Sequence, residues 1–484
     1  MTVVHCRRFV SATLVIFTAL IVMLCGAAAQ QTSEVRSGPP DPLTQIPKVP
    51  IPCTIKDGFT FAAAGDLIGP GRPVIPDAGL EGVEKILRGA DVTFGNQEGS
   101  IFDLHTFKGF PAAENGGGDP LLVPAIALDL RNMGVKMMSK ANNHATDWGQ
   151  DGLAATERVL DEAGIVHAGS GRNLDSARAA SFMETPKGRV ALVATASTFT
   201  PMSTAGSADG DVPGRPGISF LRTRRVTLVT QSQMAALQEI AAQQQGRAPR
   251  PDAKEVNLNG QAYRVSDKPG VTYEMNPYDQ SDILKAIRGA KELSSLVVFS
   301  IHAHETASSD AEDRRPGDFL PVLFHNAIDA GADIVVTHGP HALHGVEIYK
   351  DKPIFYGLAS LFFQMELDTA ANPSAREMLN NVDIDQLTYA EYLRARFSRI
   401  PATWFDSVVA VSEFRDGQLS EVRLYPLSLD HNTGPTPRPQ GTPRLASNAD
   451  AQRILEEIQR DSAQFGTKIS IENSVGIIRV AASH

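Results

Sequence analysis

Six of the twelve histidines in this 484-residue chain lie between His302 and His344, a concentration of side chains suited to binding a metal ion or moving a proton near neutral pH. Clustering alone decides little. More telling is what precedes each polar group. Ligand-type residues directly follow apolar runs of strand length, which is where α/β sheets put their binding crevices. Asp66 follows the run 59–65 and can carry a carboxylate to a metal at the sheet's end; alone it reads equally well as a turn aspartate. Gly95-Asn96-Gln97-Glu98-Gly99 brings together two carboxamides and a carboxylate, hard oxygen donors of the kind divalent cations take.

Three further clusters sharpen the pattern. In Asn142-Asn143-His144, an Asn carbonyl oxygen can ligate while the adjacent His, left unbound, protonates a leaving group. The alternative is helix-entry capping by the asparagines beside a satisfied His. In His302-Ala303-His304-Glu305, an extended chain turns both imidazoles to one face, one as a ligand and the other supporting it from behind. Thr337-His338-Gly339-Pro340-His341 can converge two neutral imidazoles on one ion, at the ~2.0–2.2 Å that zinc requires. His344 reads as peripheral and His325, on a helical stretch, as a packing residue. Together the clusters describe a dinuclear cleft.

The elements that must hold these residues are legible as alternation. Strand-like runs at 59–65, 91–95, 135–139, 190–196, 296–301 and 333–337 are separated by amphipathic stretches such as 152–163 and 279–293, which predicts an α/β domain. Residues 201–275, rich in Gly, Pro, Gln and Arg, interrupt the rhythm as an insertion with one helix near 231–243, and Arg222, Arg224 and Arg225 read as a solvated face. Beyond 365 the character changes again. A hairpin around Arg415-Asp416-Gly417 and a helix at 449–465 make a C-terminal extension, residues 366–484.

A 42% hydrophobic composition permits a large core. The formal net charge of -10 gives no basic footprint for nucleic acid, although a metal-lined cleft can be positive inside an acidic protein. Arg7-Arg8, the apolar run 9–25 and Ala27-Ala28-Ala29 mark residues 1–29 as an export signal or an uncleaved membrane anchor. Residues 30–56 form a Pro-rich linker. Cleavage near Ala29 leaves Cys53 alone of three cysteines, so the mature monomer has no internal disulfide.

The sequence resembles the CapA family, named for poly-γ-glutamate capsule synthesis. The resemblance rests on Gly65-Asp66, Asn96-Gln97-Glu98, Ala141-Asn142-Asn143-His144, His302 through Glu305, His338 through His341 and Tyr356-Gly357-Leu358-Ala359-Ser360, in the family's order over most of residues 57–365. That family is similar in turn to calcineurin-like phosphoesterases, which implies a layered α/β/β/α sandwich of metallophosphoesterase type. The resemblance makes Asp66, Glu98, Asn143, His302, His338 and His341 metal ligands, with Glu98 in the bridging place. It makes His144 the general acid, and Asn96, Asn142, His304 and Glu305 supporting or substrate-binding residues. Two divalent ions, Mn, Zn or Fe, are the implied cofactors. The chain departs from the pattern at Ile68, where many metallophosphoesterases carry a ligand histidine. It also departs at Glu98, in place of the usual Asp, and at the shortened His302-to-Glu305 cluster.

These readings lead to an exported metal-dependent hydrolase or transferase acting on a cell-envelope polymer, with Asp66 and His144 at the reacting centre. Two alternatives stay open. One is a non-catalytic accessory subunit of a membrane polymer synthase; the other is a metal-free peptide epimerase using Asp66 and a histidine. The expected location is periplasmic, extracellular or anchored to the outer face of the cytoplasmic membrane.

Overall fold

Each predicted strand run finds a strand, and most extend further than periodicity suggests. In the computed structural model, residues 54–69, 78–112, 120–308, 314–364, 400–431 and 440–480 are described, with a few isolated positions between 386 and 395. The export segment and nearly all of the Pro-rich linker lie outside them. No helix among the described residues is long and apolar enough to cross a membrane.

Ten strands form the larger sheet. Its centre is Phe59–Ile68, paired in parallel with Val92–Gln97, which pairs with Val135–Ser139 and then Val166–Ala168. The Ala-rich run FTFAAAGDLI is buried along nearly its whole length, as expected of a strand covered on both faces. The strand does not stop at Gly65 but continues through a register irregularity at Asp66. Such a bulge re-aims a side chain while pairing resumes beyond it. Here it also divides the strand's neighbours, because Phe59–Ala63 pair with Asp406–Arg415 while Asp66–Ile68 pair with Ser360–Phe363. Gly65 is required by this crossing, since a Cβ there would lie 1.8 Å from the Ala359 carbonyl oxygen.

A second, six-stranded sheet holds Gly188–Ala196, Leu296–His302, Ile334–His338 and Lys352–Phe355 in parallel register, with antiparallel strands Ser181–Thr185 and Val346–Tyr349 at its two edges. One apolar cluster joins the two sheets, with Phe61, Phe94 and Met137 from the first meeting Leu192, Val298 and Val336 from the second. The first sheet's other face packs on the helices Ala78–Gly89 and Ala125–Met133 through Leu80, Val83, Leu87 and Ile126. The second sheet's other face packs on Pro277–Leu293 and Phe319–Asp329 through Ile283, Ile287, Leu323 and Phe324. Pro277–Leu293 begins where it must: the Asn276 side chain accepts from the Tyr278 and Asp279 amides, with Pro277 at the first helical position, a cap worth about 1 kcal/mol.

The stretch 201–275 builds its own four-stranded sheet, Thr223–Val229, Glu255–Leu258, Gln261–Val265 and Gly270–Met275, beside the helix Gln231–Gln244. Residues beyond 400 return to the larger sheet. Asp406–Arg415 and Gln418–Ser428 form the hairpin, and the first of these lies against the strand that carries Asp66. The helix Asn448–Ser462 covers the inter-sheet core with Ile454, Leu455 and Ile458.

Candidate metal centre

The ends of parallel strands bring Asp66, Asn96, Asn142, His302, His304, His338 and His341 together. Asp66 has no solvent exposure. Its Oδ1 accepts from Asn96 Nδ2 at 2.8 Å, and its Oδ2 accepts from the Gly339 amide at 3.1 Å and meets His341 Nδ1 at 3.0 Å. Burial alone would raise this carboxyl. The hydrogen bond from His341, and the positive charge that His341, His338 and His302 would carry when protonated, overcome that and hold it far below the ordinary range.

His302 and His338 end adjacent parallel strands and are register partners, so strand pairing itself sets their rings together. The His302 and His338 Nδ1 atoms are 3.0 Å apart, His302 Nε2 is 3.0 Å from His304 Nε2, and Ser300 Oγ is 2.7 Å from His338 Nε2. Asn96 Nδ2 also points at His302 Nδ1, at 3.4 Å. One protonation pattern satisfies all four contacts with neutral rings. Ser300 donates to His338 Nε2, His338 Nδ1–H donates to His302 Nδ1, and His302 Nε2–H donates to His304. Neutrality follows from burial, which takes His302 well below its usual pKa, His304 to about 3 and His338 to about 4. Neutral imidazole is the form that binds a metal.

Glu98 is the unsatisfied member. It is fully buried, and neither carboxylate oxygen has a hydrogen-bond partner among the described residues. Burial first, then the charge of Asp66, pushes its pKa well up. His341 Nε2 and His144 Nε2 stand 3.9 and 3.8 Å from Glu98 Oε1. A carboxylate left this way costs several kcal/mol unless a cation compensates it or it takes up a proton. Two groups of donors each lie within 4.8 Å, Asp66-His302-His338 and Asp66-Glu98-His341. The residue common to both is Asp66, whereas the resemblance put Glu98 in the bridging place. Buried carboxylates with neutral imidazoles are the donor set that divalent transition metals and zinc take, so the residues present fit such an ion.

The asparagine loop divides its work. Asn142 ties the loop to its neighbours, donating to Asn96 Oδ1 at 3.1 Å and the Gln97 carbonyl at 2.8 Å while accepting from the His144 amide at 3.1 Å. Asn143 sits half-buried between Asn142 and His144. The helix begins only at Gly149, after Trp148, so neither asparagine is its cap. His144, 24% exposed, directs Nδ1 to Asp147 Oδ2 at 2.7 Å. Glu305 stands apart from the donor groups. It accepts from Ser197 at 2.8 Å and Thr198 at 3.1 Å, and Thr198 in turn accepts from the His304 amide. His325 pairs with Glu347 at 2.8 Å and stacks on Tyr349, away from these donors.

Sequence reasoning missed several members. Asp147 was signalled only by its place three residues after His144. Lys140 is fully buried and donates to the carbonyls of Gln97 at 3.3 Å and Gly99 at 2.8 Å, on either side of Glu98. Burial lowers it to about 8 against the pull of Glu157, Asp147 and Glu98. Its signal was a lysine directly after the strand-like run 135–139 and two residues before the asparagines. Ser300 carried none, Ser360 only its place at the end of the Tyr356-to-Ser360 segment, and Trp404, packed on His341, lies far outside the clusters.

Residues 60–365 match the family model described as "Bacterial capsule synthesis protein PGA_cap". A protein of Sinorhizobium fredii named "Uncharacterized protein y4sH" is 41% identical over 443 residues, covering 88% of this chain and 94% of the relative. "Capsule biosynthesis protein CapA" of Bacillus anthracis is 25% identical over 238 residues, covering 48% of this chain and 41% of its own. "Probable polyglutamine synthesis accessory protein Rv0574c" of Mycobacterium tuberculosis is 28% identical over 220 residues, covering 45% and 42%. On the family match across 60–365, the chain belongs to the bacterial capsule synthesis family PGA_cap.

Proposed function

We propose that this protein is an exported, metal-dependent hydrolase or transferase acting on a capsule or cell-envelope polymer, poly-γ-glutamate or a related chain. The observation that carries the reading is Asp66 shared by two donor groups, one of which contains the buried Glu98, whose oxygens accept no hydrogen bond among the described residues. The core order, helices on one sheet, sheet on sheet, helices on the other, supports an α/β/β/α sandwich of metallophosphoesterase type. Similarity to capsule-synthesis and polyglutamine-synthesis proteins supports the substrate class.

Asp66, Glu98, His302, His338 and His341 would hold the ions, with Asn143 a further oxygen donor. When bound, a divalent cation supplies Lewis acidity toward a phosphoryl or amide oxygen. The chain's own residues do the rest. Asp147 accepts from His144 Nδ1–H at 2.7 Å and so leaves Nε2 facing the cleft, where the protonated ring delivers its proton to the departing group. Asn96 and the Gly339 amide fix the Asp66 carboxylate by donating one to each oxygen. Asn142 locks the loop that carries His144. The test is turnover of phosphoesters and γ-glutamyl amides by purified protein supplied with Mn²⁺ or Zn²⁺. Absence of turnover with every metal supplied would leave the accessory reading, which similarity to the mycobacterial accessory protein favours. In that reading the cleft binds polymer or synthase without chemistry.

A further inference from the structure

The two donor groups are not built alike. Asp66, His302 and His338 stand on strands, the two histidines in regular parallel register, with His338 braced by Ser300. The second group depends on a loop. His341 lies three residues past its strand's end with φ of 52°, a left-handed conformation that a side chain with a Cβ rarely holds without support. Neighbouring rings supply that support. The His341 ring packs against both Phe363, centroids 5.4 Å apart, and Trp404, 4.8 Å apart, while Ser360 Oγ is 3.3 Å from Nδ1. Trp404 is itself wedged edge-on against Phe363 at 5.8 Å. It belongs to the short turn Ala402–Phe405 that leads into Asp406–Arg415, outside the residues 60–365 of the family match.

We infer that Trp404 is a positioning residue for the second cation. It holds the His341 ring toward Asp66 and Glu98, so that the Asp66-Glu98-His341 group binds a divalent ion more weakly than Asp66-His302-His338, and only with the C-terminal turn in place. The inference rests on the metal-binding reading given above. Of the donor rings, Trp404 packs on His341, so its removal frees that ring to relax from its left-handed backbone while the strand-borne histidines keep their places. The chain's two tryptophans make the site observable directly.

Full-length, metal-stripped protein is titrated with Mn²⁺ and, separately, Zn²⁺ by calorimetry. Wild type should show two unequal binding events. Trp404→Ala should weaken the second by about three- to tenfold, the range of a lost aromatic contact, and leave the first unchanged; Trp404→Phe should restore most of the loss. In protein carrying fluorotryptophan, the resonance that Trp404→Phe removes should shift with the second equivalent and not with the first. Equal weakening of both events, no weakening of either, or a Trp404 resonance blind to the second equivalent would overturn the inference. Wild type that binds no cation would instead defeat the metal reading itself.

Discussion

Two charged clusters in this molecule use similar residues to opposite ends. On the sheet of the 201–275 stretch, Arg224 and Arg264 interleave with Glu255 and Glu274, and every charge has a partner. The hydrogen bonds from Arg224 and Arg264 lower both carboxyls. In the cleft, Glu98 is buried with no donor at either oxygen among the described residues, and its pKa is raised. The exposed network is satisfied by the chain itself and contributes little net stability. The buried one leaves the Glu98 oxygens without a hydrogen-bond donor among the described residues, and the metal reading rests on that difference. Incompleteness, rather than charge density, distinguishes a site from a scaffold.

Asp66→Ala should break the comparison hardest. It removes the residue common to both donor groups and strands the Asn96 and Gly339 donors, so metal uptake should vanish and stability fall by about 3 kcal/mol, read by elemental analysis and urea melts. His144→Ala should keep the metal, because His144 belongs to neither donor group. It should lower kcat by roughly 10²- to 10⁴-fold, the usual share of a general acid; a fall in metal content instead would make His144 a ligand.

Glu98→Gln sharpens the contrast in the other direction. Neutralising a buried carboxylate that accepts no hydrogen bond should raise metal-free stability by about 1–2 kcal/mol at pH 8 while weakening metal binding. Loss of stability would mean Glu98 is satisfied without a cation. The pH dependence carries the same logic. His302, His304 and His338 have folded values below the ordinary 6.5, so the unfolded chain binds more protons below that pH. Stability should therefore fall as pH drops from 6.5 toward about 4, the His338 value. Asp66, also lowered, adds loss below its ordinary 3.8. Glu98, raised above its ordinary 4.5, acts oppositely, favouring the folded metal-free state less as pH rises. Acid melts of metal-free protein should show the histidine trend, and a flat profile between about pH 4 and 6.5 would contradict it. Arg224→Ala should have the smallest effect, at most about 1 kcal/mol and no change in metal content.

Most of the cleft was legible because parallel strands deliver their last residues to one edge. His302 and His338 needed only strand ends and register, and Asn96 with Glu98 the same. What was not legible depended on irregular backbone. The bulge at Asp66 kept the strand running past the point where Gly65 suggested an end. Asp66 is the residue common to the two donor groups, and no spacing encodes the bulge at which it stands. Trp404 reaches the cleft only because Asp406–Arg415 pairs beside Phe59–Ile68, chain segments far apart in sequence. Composition set the residues after 365 apart, yet their strands complete the sheet that holds the site.

The most direct test is the metal content of native protein purified without chelators. Close to two divalent transition-metal or zinc ions per chain are expected in the wild type and none in Asp66→Ala. Wild-type protein with no bound metal, unable to take any up from Mn²⁺ or Zn²⁺ solutions, would contradict the account.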